Sequence, residues 1–301
     1  MIEITPINIG SFKTWLDVKN ARQEDAVVLQ EEYGLTQDVM DYAMDIDEPS
    51  NYDYDKKSKS QLFIYHLPYK TQQGYLTIPV AILLKGSLLI TLTHFSDDHV
   101  EDIFRRDILK KAYTNINLTV LKLLKHLSDV FSLPTHELRR RRKELNDLLS
   151  ERAENKHLIE LANLRKSLIY FASSSQNNYI MLQNLKNKYF SRTFHENESE
   201  FLIDAQIEAN QVQQLVEMES KIVAQLIATF DTILSNNLNG IMKLLTIWSV
   251  VLAIPTIITG FYGMNVSLPL IHAHMAWIII VGITFILILW VLMVLHRHRI
   301  I

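Results

Sequence analysis

No aspartate or glutamate follows Gly240. All 33 acidic residues precede it, and of the 30 lysines and arginines only Lys243, Arg297 and Arg299 come later. Residues 244–275 carry no charged side chain, and neither do residues 276–295. About 20 apolar helical residues cross the ~30 Å hydrocarbon core of a bilayer. Buried helices of soluble domains are usually shorter and broken by polar residues. Each run is therefore predicted to span a membrane once, at about 241–262 and 276–295. Trp248 and Trp277 lie near helix ends, where indole rings favour the membrane–water interface.

The few basic residues orient these spans. Lys243 precedes the first and Arg297 and Arg299 follow the second, while the connection between them has none. The positive-inside rule places both termini in the cytoplasm of a multi-pass cell-membrane protein, with a short loop outside. The amino terminus, Met1-Ile-Glu-Ile-Thr-Pro, lacks the basic and apolar regions of a secretory signal. The residues before Gly240 hold 27 basic and 33 acidic side chains, a formal −6. That balance argues against a nucleic-acid partner. With no cysteine there is neither a disulfide framework nor a thiolate metal site.

An α/β reading fits the amino-terminal part. Residues 61–67, 75–84 and 87–93 are β-rich and bounded by turn residues. Residues 24–33, 101–106 and much of 112–132 read as helix. Residues 139–143, Arg-Arg-Arg-Arg-Lys with Glu137 and Glu144 beside them, read as a solvated helix face. No Gly-rich phosphate cradle, nucleophile elbow or HExxH sequence occurs, so enzymatic activity is not expected.

No glycine lies between Gly86 and Gly240, and no proline between Pro134 and Pro255. Apolar residues recur at helical spacing from Val212 and Val216 through Val223 and Phe230 to Leu238. This predicts a helix from about 198 that continues into the first span, roughly 90 Å for ~60 residues. Such a rod must pack on other helices or on copies of itself. The predicted organisation is a cytoplasmic α/β domain (1–135), long helices forming a stalk (136–240) and two membrane helices (241–301).

Along the first span, Asn239, Met242, Thr246, Ser249, Ala253, Thr256, Gly260 and Gly263 fall on one face at three-four spacing. Apart from Met242 that face is small or polar, and lipid offers polar groups no partner. Close helix packing and pore lining both account for it. Pro255 leaves the Val251 carbonyl without its usual donor.

The span ends Gly260-Phe261-Tyr262-Gly263-Met264-Asn265. A Tyr-Gly-Met-Asn sequence at the end of the penultimate membrane helix resembles the signature of CorA-type magnesium transporters. The segment from Asn239 to Thr246 is similar to that family's inner pore. The likeness is specific over about residues 236–265 and architectural over the whole chain. It implies a funnel-shaped homopentamer whose first membrane helices line one pore. Gly263, Met264 and Asn265 would then form the outer selectivity ring, Asn239 a polar inner constriction, and Met242 and Leu245 a narrowing beside it. Thr256 would face the channel higher up. Where Ala253 stands, family members often carry a bulkier apolar gate residue.

Mg²⁺ gives up its water reluctantly, so a ring of amide and carbonyl oxygens can accept hydrogen bonds from its first-shell waters and still release the ion. The resemblance also implies that internal Mg²⁺ is sensed by carboxylates paired between subunits. Asp204 stands at the family's usual helix position, with Asp97 and Asp98 as alternatives for its partner. The helix acids Glu196, Glu198, Glu200 and Glu208 flank Asp204 and could contribute to sensing, though surface acids on a helix are usually only solubilising. The outer loop lacks the acid many relatives carry; its His272 and His274 are interface anchors or ligands for Zn²⁺, Ni²⁺ or Co²⁺. The expected function is passive, Mg²⁺-gated Mg²⁺ influx. The alternatives are a Zn²⁺, Co²⁺ or Ni²⁺ transporter on the same scaffold and a membrane-anchored oligomeric interaction protein.

Overall fold

The computed structural model describes residues 2–95, 97–110, 115–151, 155–264 and 275–297. The chain divides into two compact units, Met1–Ile227 and Ala228–Ile301.

The first unit is built on a six-stranded sheet in the order β1-β2-β6-β5-β4-β3. The strands are β1 (Ile2–Ile9), β2 (Phe12–Val18), β3 (Asn51–Asp55), β4 (Ser60–Thr71), β5 (Gly74–Lys85) and β6 (Leu88–Thr93). All neighbours run antiparallel except β2 and β6. The three strands expected from sequence are β4, β5 and β6. The other three escaped that reading for physical reasons. β1 is an edge strand that contains Pro6, and β3 is five residues of Asn, Tyr and Asp, with the asparagine and aspartates disfavoured in strands. β2 carries a charged residue, Asp17, that is buried nonetheless.

Alternation along the strands sorts side chains to two cores. Phe63, Tyr65 and Leu67 of β4 join Val80, Ile82 and Leu84 of β5 on one face. Leu62 and Ile64 join Ala81 and Leu83 on the other. The second face is covered by α1 (Gln23–Glu31) and α2 (Gln37–Met44). The first is covered by α3 (Asp98–Arg105), α4 (Ile116–Asp129), α6 (Asn155–Leu185) and the start of α7 (Glu196–Tyr262). A π-helical turn, Arg106–Lys110, extends α3, and α5 (Ser132–Glu151) precedes α6.

Side chains complete the backbone pairing where strands cannot. On β4, His66 faces Pro79 of β5, which has no N–H, and β3 has already ended at the Asn51–Ile64 pair. Asn178 of α6 fills the gap: its Nδ2 donates to the His66 carbonyl at 2.9 Å and its Oδ1 accepts from the His66 N–H at 3.0 Å.

Two readings of charged residues are corrected. Arg139 and Arg142 do not lie on a solvated face. Both donate through Nε to the two oxygens of Glu219, at 2.6 and 3.0 Å, and Glu219 is 2% exposed. Spacing of i,i+3 sets the two guanidiniums on one side of α5, and α7 brings the carboxylate between them. Nor is Glu198 merely solubilising. It is 5% exposed, accepts from Asn115 Nδ2, and takes the His195 N–H at 3.0 Å, so it satisfies an otherwise unpaired donor at the start of α7.

In the second unit, the remainder of α7 and α8 (Ala276–Arg297) are both long and apolar enough to cross a membrane, and none of the most apolar window of either is buried within the chain.

Candidate functional site

Helix α7 runs 67 residues without interruption, through Pro255, and ends at Tyr262. In its apolar part the half-covered positions are Ile247, Val251, Ile254, Pro255, Ile258 and Tyr262. With 3.6 residues per turn they form one stripe. Asn239, Met242, Thr246, Ser249, Ala253, Thr256, Gly260 and Gly263 are all exposed, and their stripe is centred roughly half a turn round the helix from the covered one. The small and polar side of α7 therefore lies opposite the side that the described residues cover. Leu245 is exposed as well, at the edge of that stripe.

The hydroxyls on this helix are already committed as donors. Thr246 donates to the Met242 carbonyl at 2.8 Å, Ser249 to Leu245 at 2.9 Å and Thr256 to Leu252 at 2.8 Å. A back-bonded hydroxyl keeps its oxygen lone pairs as acceptors. Such a surface accepts hydrogen bonds from the outward-pointing hydrogens of cation-bound water. It offers no formal charge that would hold a divalent ion.

At the end of α7 the Gly263 N–H donates to Thr259 at 2.9 Å and that of Met264 to Phe261 at 3.3 Å. A Cβ on Gly263 would stand 3.2 Å from the Thr259 carbonyl, so the closing turn is tight there. Asn265 lies outside the described residues, as do His272 and His274.

The candidate sensing carboxylates occupy different settings. Asp97 caps α3, accepting from the N–H groups of His99 and Val100 at 2.9 and 3.2 Å. Asp98 is the first residue of that helix. Asp204, on α7, has a half-exposed side chain 3.5 Å from the Lys125 ammonium of α4. Among the described residues no hydrogen bond or ion pair joins Asp204 to Asp97 or Asp98. No three His, Asp or Glu side chains among them converge to hold a metal. The Asp204 oxygens are of the hard type that suits Mg²⁺. Sequence reasoning did not find Lys125, because nothing local marks one lysine of α4 as facing an acid 79 residues away.

A family model described as CorA-like Mg²⁺ transporter protein matches residues 13–297. The chain belongs to that family. A relative named "Cobalt/magnesium transport protein CorA", from Methanocaldococcus jannaschii, is 28% identical over 267 residues, which are 85% of this chain and 81% of the relative. Among solved structures, the complete CorA magnesium transporter of M. jannaschii superposes with a TM-score of 0.76 at 22% identity, covering 94% of this chain and 90% of that one. The full-length CmaX protein superposes at 0.70 and 16% identity over 98% and 91%. These likenesses establish the CorA-like fold: an α/β amino-terminal domain, a long helix and an apolar carboxy-terminal pair. CorA-like proteins are transporters, and the charge-free helices are the part of this chain suited to a membrane.

Proposed function

We propose that the chain assembles with four copies of itself into a funnel-shaped pore in the cell membrane, with both termini cytoplasmic, that passes hydrated Mg²⁺ passively inward. One observation carries this reading: apart from Met242, the exposed face of α7 from Asn239 to Gly263 is uncharged and small or polar, and it lies opposite the half-covered stripe. Turned to a shared axis, that face offers ring after ring of acceptor oxygens to the water shell of a cation. Asn239, with Met242 and Leu245, would narrow the inner end. Thr256 would line the channel, and Gly263, Met264 and Asn265 would form the outer ring.

The cytoplasmic part of α7 supports assembly. Ile203, Ile207, Met218 and Ile222 are each 36% or more exposed, on the side away from Leu202, Ala205, Ala209 and Val216. In this reading Asp204 meets Asp97 or Asp98 of a neighbouring copy, and internal Mg²⁺ bridging them favours the closed state. Co²⁺ is a second cargo, favoured by the name of the M. jannaschii relative. Zn²⁺ or Ni²⁺ would draw on His272 and His274.

Uptake into proteoliposomes, with Mg²⁺, Co²⁺ and Zn²⁺ compared at fixed pH, tests the cargo. Asn265→Ala is expected to abolish Mg²⁺ uptake while the oligomer still assembles by native mass measurement. Wild-type flux through that variant would falsify the ring assignment, and absence of flux from the wild-type protein would leave a membrane-anchored assembly instead.

A further inference from the structure

Asp204 reaches the surface beside a cation that the chain supplies itself. Val120, Leu121 and Leu124 of α4 share one core with Leu202 and Ala205 of α7. That packing fixes two lysines, nearly one turn apart, beside residues three apart on α7. Lys122 Nζ sits 4.5 Å over the ring of Phe201, and Lys125 Nζ lies 3.5 Å from Asp204 Oδ2. Side-chain exposures of 34% for Lys125 and 52% for Asp204 leave both open to solvent and to ions.

A divalent ion that binds this carboxylate must either displace the ammonium or accept a positive neighbour at close range. Both lower its affinity. We propose that Lys125 is a resident competitor for Asp204 and sets the internal Mg²⁺ concentration at which the protein closes. This rests on the proposed sensing role of Asp204. The pair forms within one copy of the chain, so it is present whether or not a neighbouring acid has approached. The Mg²⁺-bound state loses or weakens it. Removing Lys125 therefore favours the step from the ion-free open form to the ion-bound closed form, whichever conformation dominates without Mg²⁺.

Limited proteolysis of the full-length oligomer across a free Mg²⁺ series gives the midpoint of cation-induced protection without relying on flux. A partly exposed pair of this kind is worth a factor of about two to five. Lys125→Gln is expected to lower the midpoint by about that factor, and Lys125→Arg to stay near wild type. The gap between Lys125→Gln and wild type should shrink at high NaCl, where exposed charges are screened. It should vanish when both carry Asp204→Asn.

If Lys125→Gln leaves the midpoint unchanged or raises it while Asp204→Asn moves it, the competitor role is wrong and the sensing role survives. A shift from Lys125→Gln that persists at high salt and in the Asp204→Asn background reports packing, and also overturns it. If Asp204→Asn leaves the midpoint in place, the sensing role itself fails and takes this inference with it.

Discussion

Residues Met1–Ile227 and Ala228–Ile301 deal with polar groups in opposite ways. The first unit buries charge and pairs it internally. Asp17 accepts from Thr91 at 2.8 Å beside Lys19, Asp107 is held by His126 and Arg106, Glu198 by Asn115 and the His195 N–H, and Glu219 by two arginines. All four carboxylates are at most 5% exposed. The second unit carries one acid, Asp231, and none after Gly240, and the hydroxyls of Thr246, Ser249, Thr256 and Thr259 are bonded back to their own helix. Its large side chains, such as Leu252, Ile257, Trp277 and Phe285, are each more than half exposed. One unit is folded against itself; the other leaves its large apolar side chains uncovered by the described chain. Charged pairs hold the register of helices in the first, whereas residues 244–296 of the second carry no charged pair to hold.

The largest expected test of this contrast removes a buried partner. Glu219→Gln leaves Arg139 and Arg142 facing one neutral amide. Breaking a buried ion pair on one side costs about 3–5 kcal/mol. The partial exposure of both arginines, 28% and 16%, puts this variant near the lower end. Denaturant unfolding followed by α5–α7 hydrogen exchange should show the loss within Met1–Ile227. A cost below about 0.5 kcal/mol, the range of ordinary surface changes, would mean the first unit does not depend on its internal pairs.

A smaller effect is set by pH. Burial lowers the pKa of His66 to about 4, only partly offset by Asp47. The unfolded chain titrates near 6.5, so between those values the unfolded state binds more protons. The contribution is fully present above about pH 6.5 and is lost as pH falls toward 4, by roughly 3 kcal/mol over the window. His66→Gln should flatten that part of the stability curve, with exchange at β4 and α6 as the local readout. A curve of wild-type shape from the variant would assign the acid sensitivity to other groups.

These two tests also mark where sequence reading stops. The long helix was legible because nothing breaks it between Gly86 and Gly240, and the spans because no charge lies between Lys243 and Arg297. The small and polar stripe was legible because helical period alone defines it. None of that holds for Glu219. In sequence it is one of several acids on α7, and Arg139 and Arg142 look like the rest of a basic run. Their meeting depends on how α5 lies along α7, across 77 and 80 residues. Asn178 backing His66 is a pairing over 112 residues and equally hidden. Strand β3 was missed because its stability comes from lying beside β4, a neighbour that outweighs its own weak propensity. The small and polar positions of α7 had a local signal; the groups that hold its earlier part against other helices had none.

The smallest expected effect separates the two sides of the second unit. Glycine inside a helix is less favourable than alanine by about 1 kcal/mol, because it has more freedom to lose. A Cβ built on Gly260 or on Gly282 meets nothing within 4 Å in the chain. Taken alone, each chain would gain from alanine at either position. Gly260 lies on the small and polar stripe, and Gly282 faces away from the half-covered positions Ile280, Thr284 and Ile288 of α8. If copies of α7 come together along the stripe, the space at Gly260 is filled by a neighbour, and Gly260→Ala should weaken the oligomer despite its better helix propensity. Gly282→Ala, facing lipid, should leave assembly unchanged and raise thermal stability by about 0.5–1 kcal/mol. Detergent titration from oligomer to monomer, run on both variants, reads the difference. Equal gains at both positions would mean that no second helix approaches Gly260 and that the stripe faces the water of a shared axis there, because in lipid its hydroxyls and Asn239 would have no counterpart.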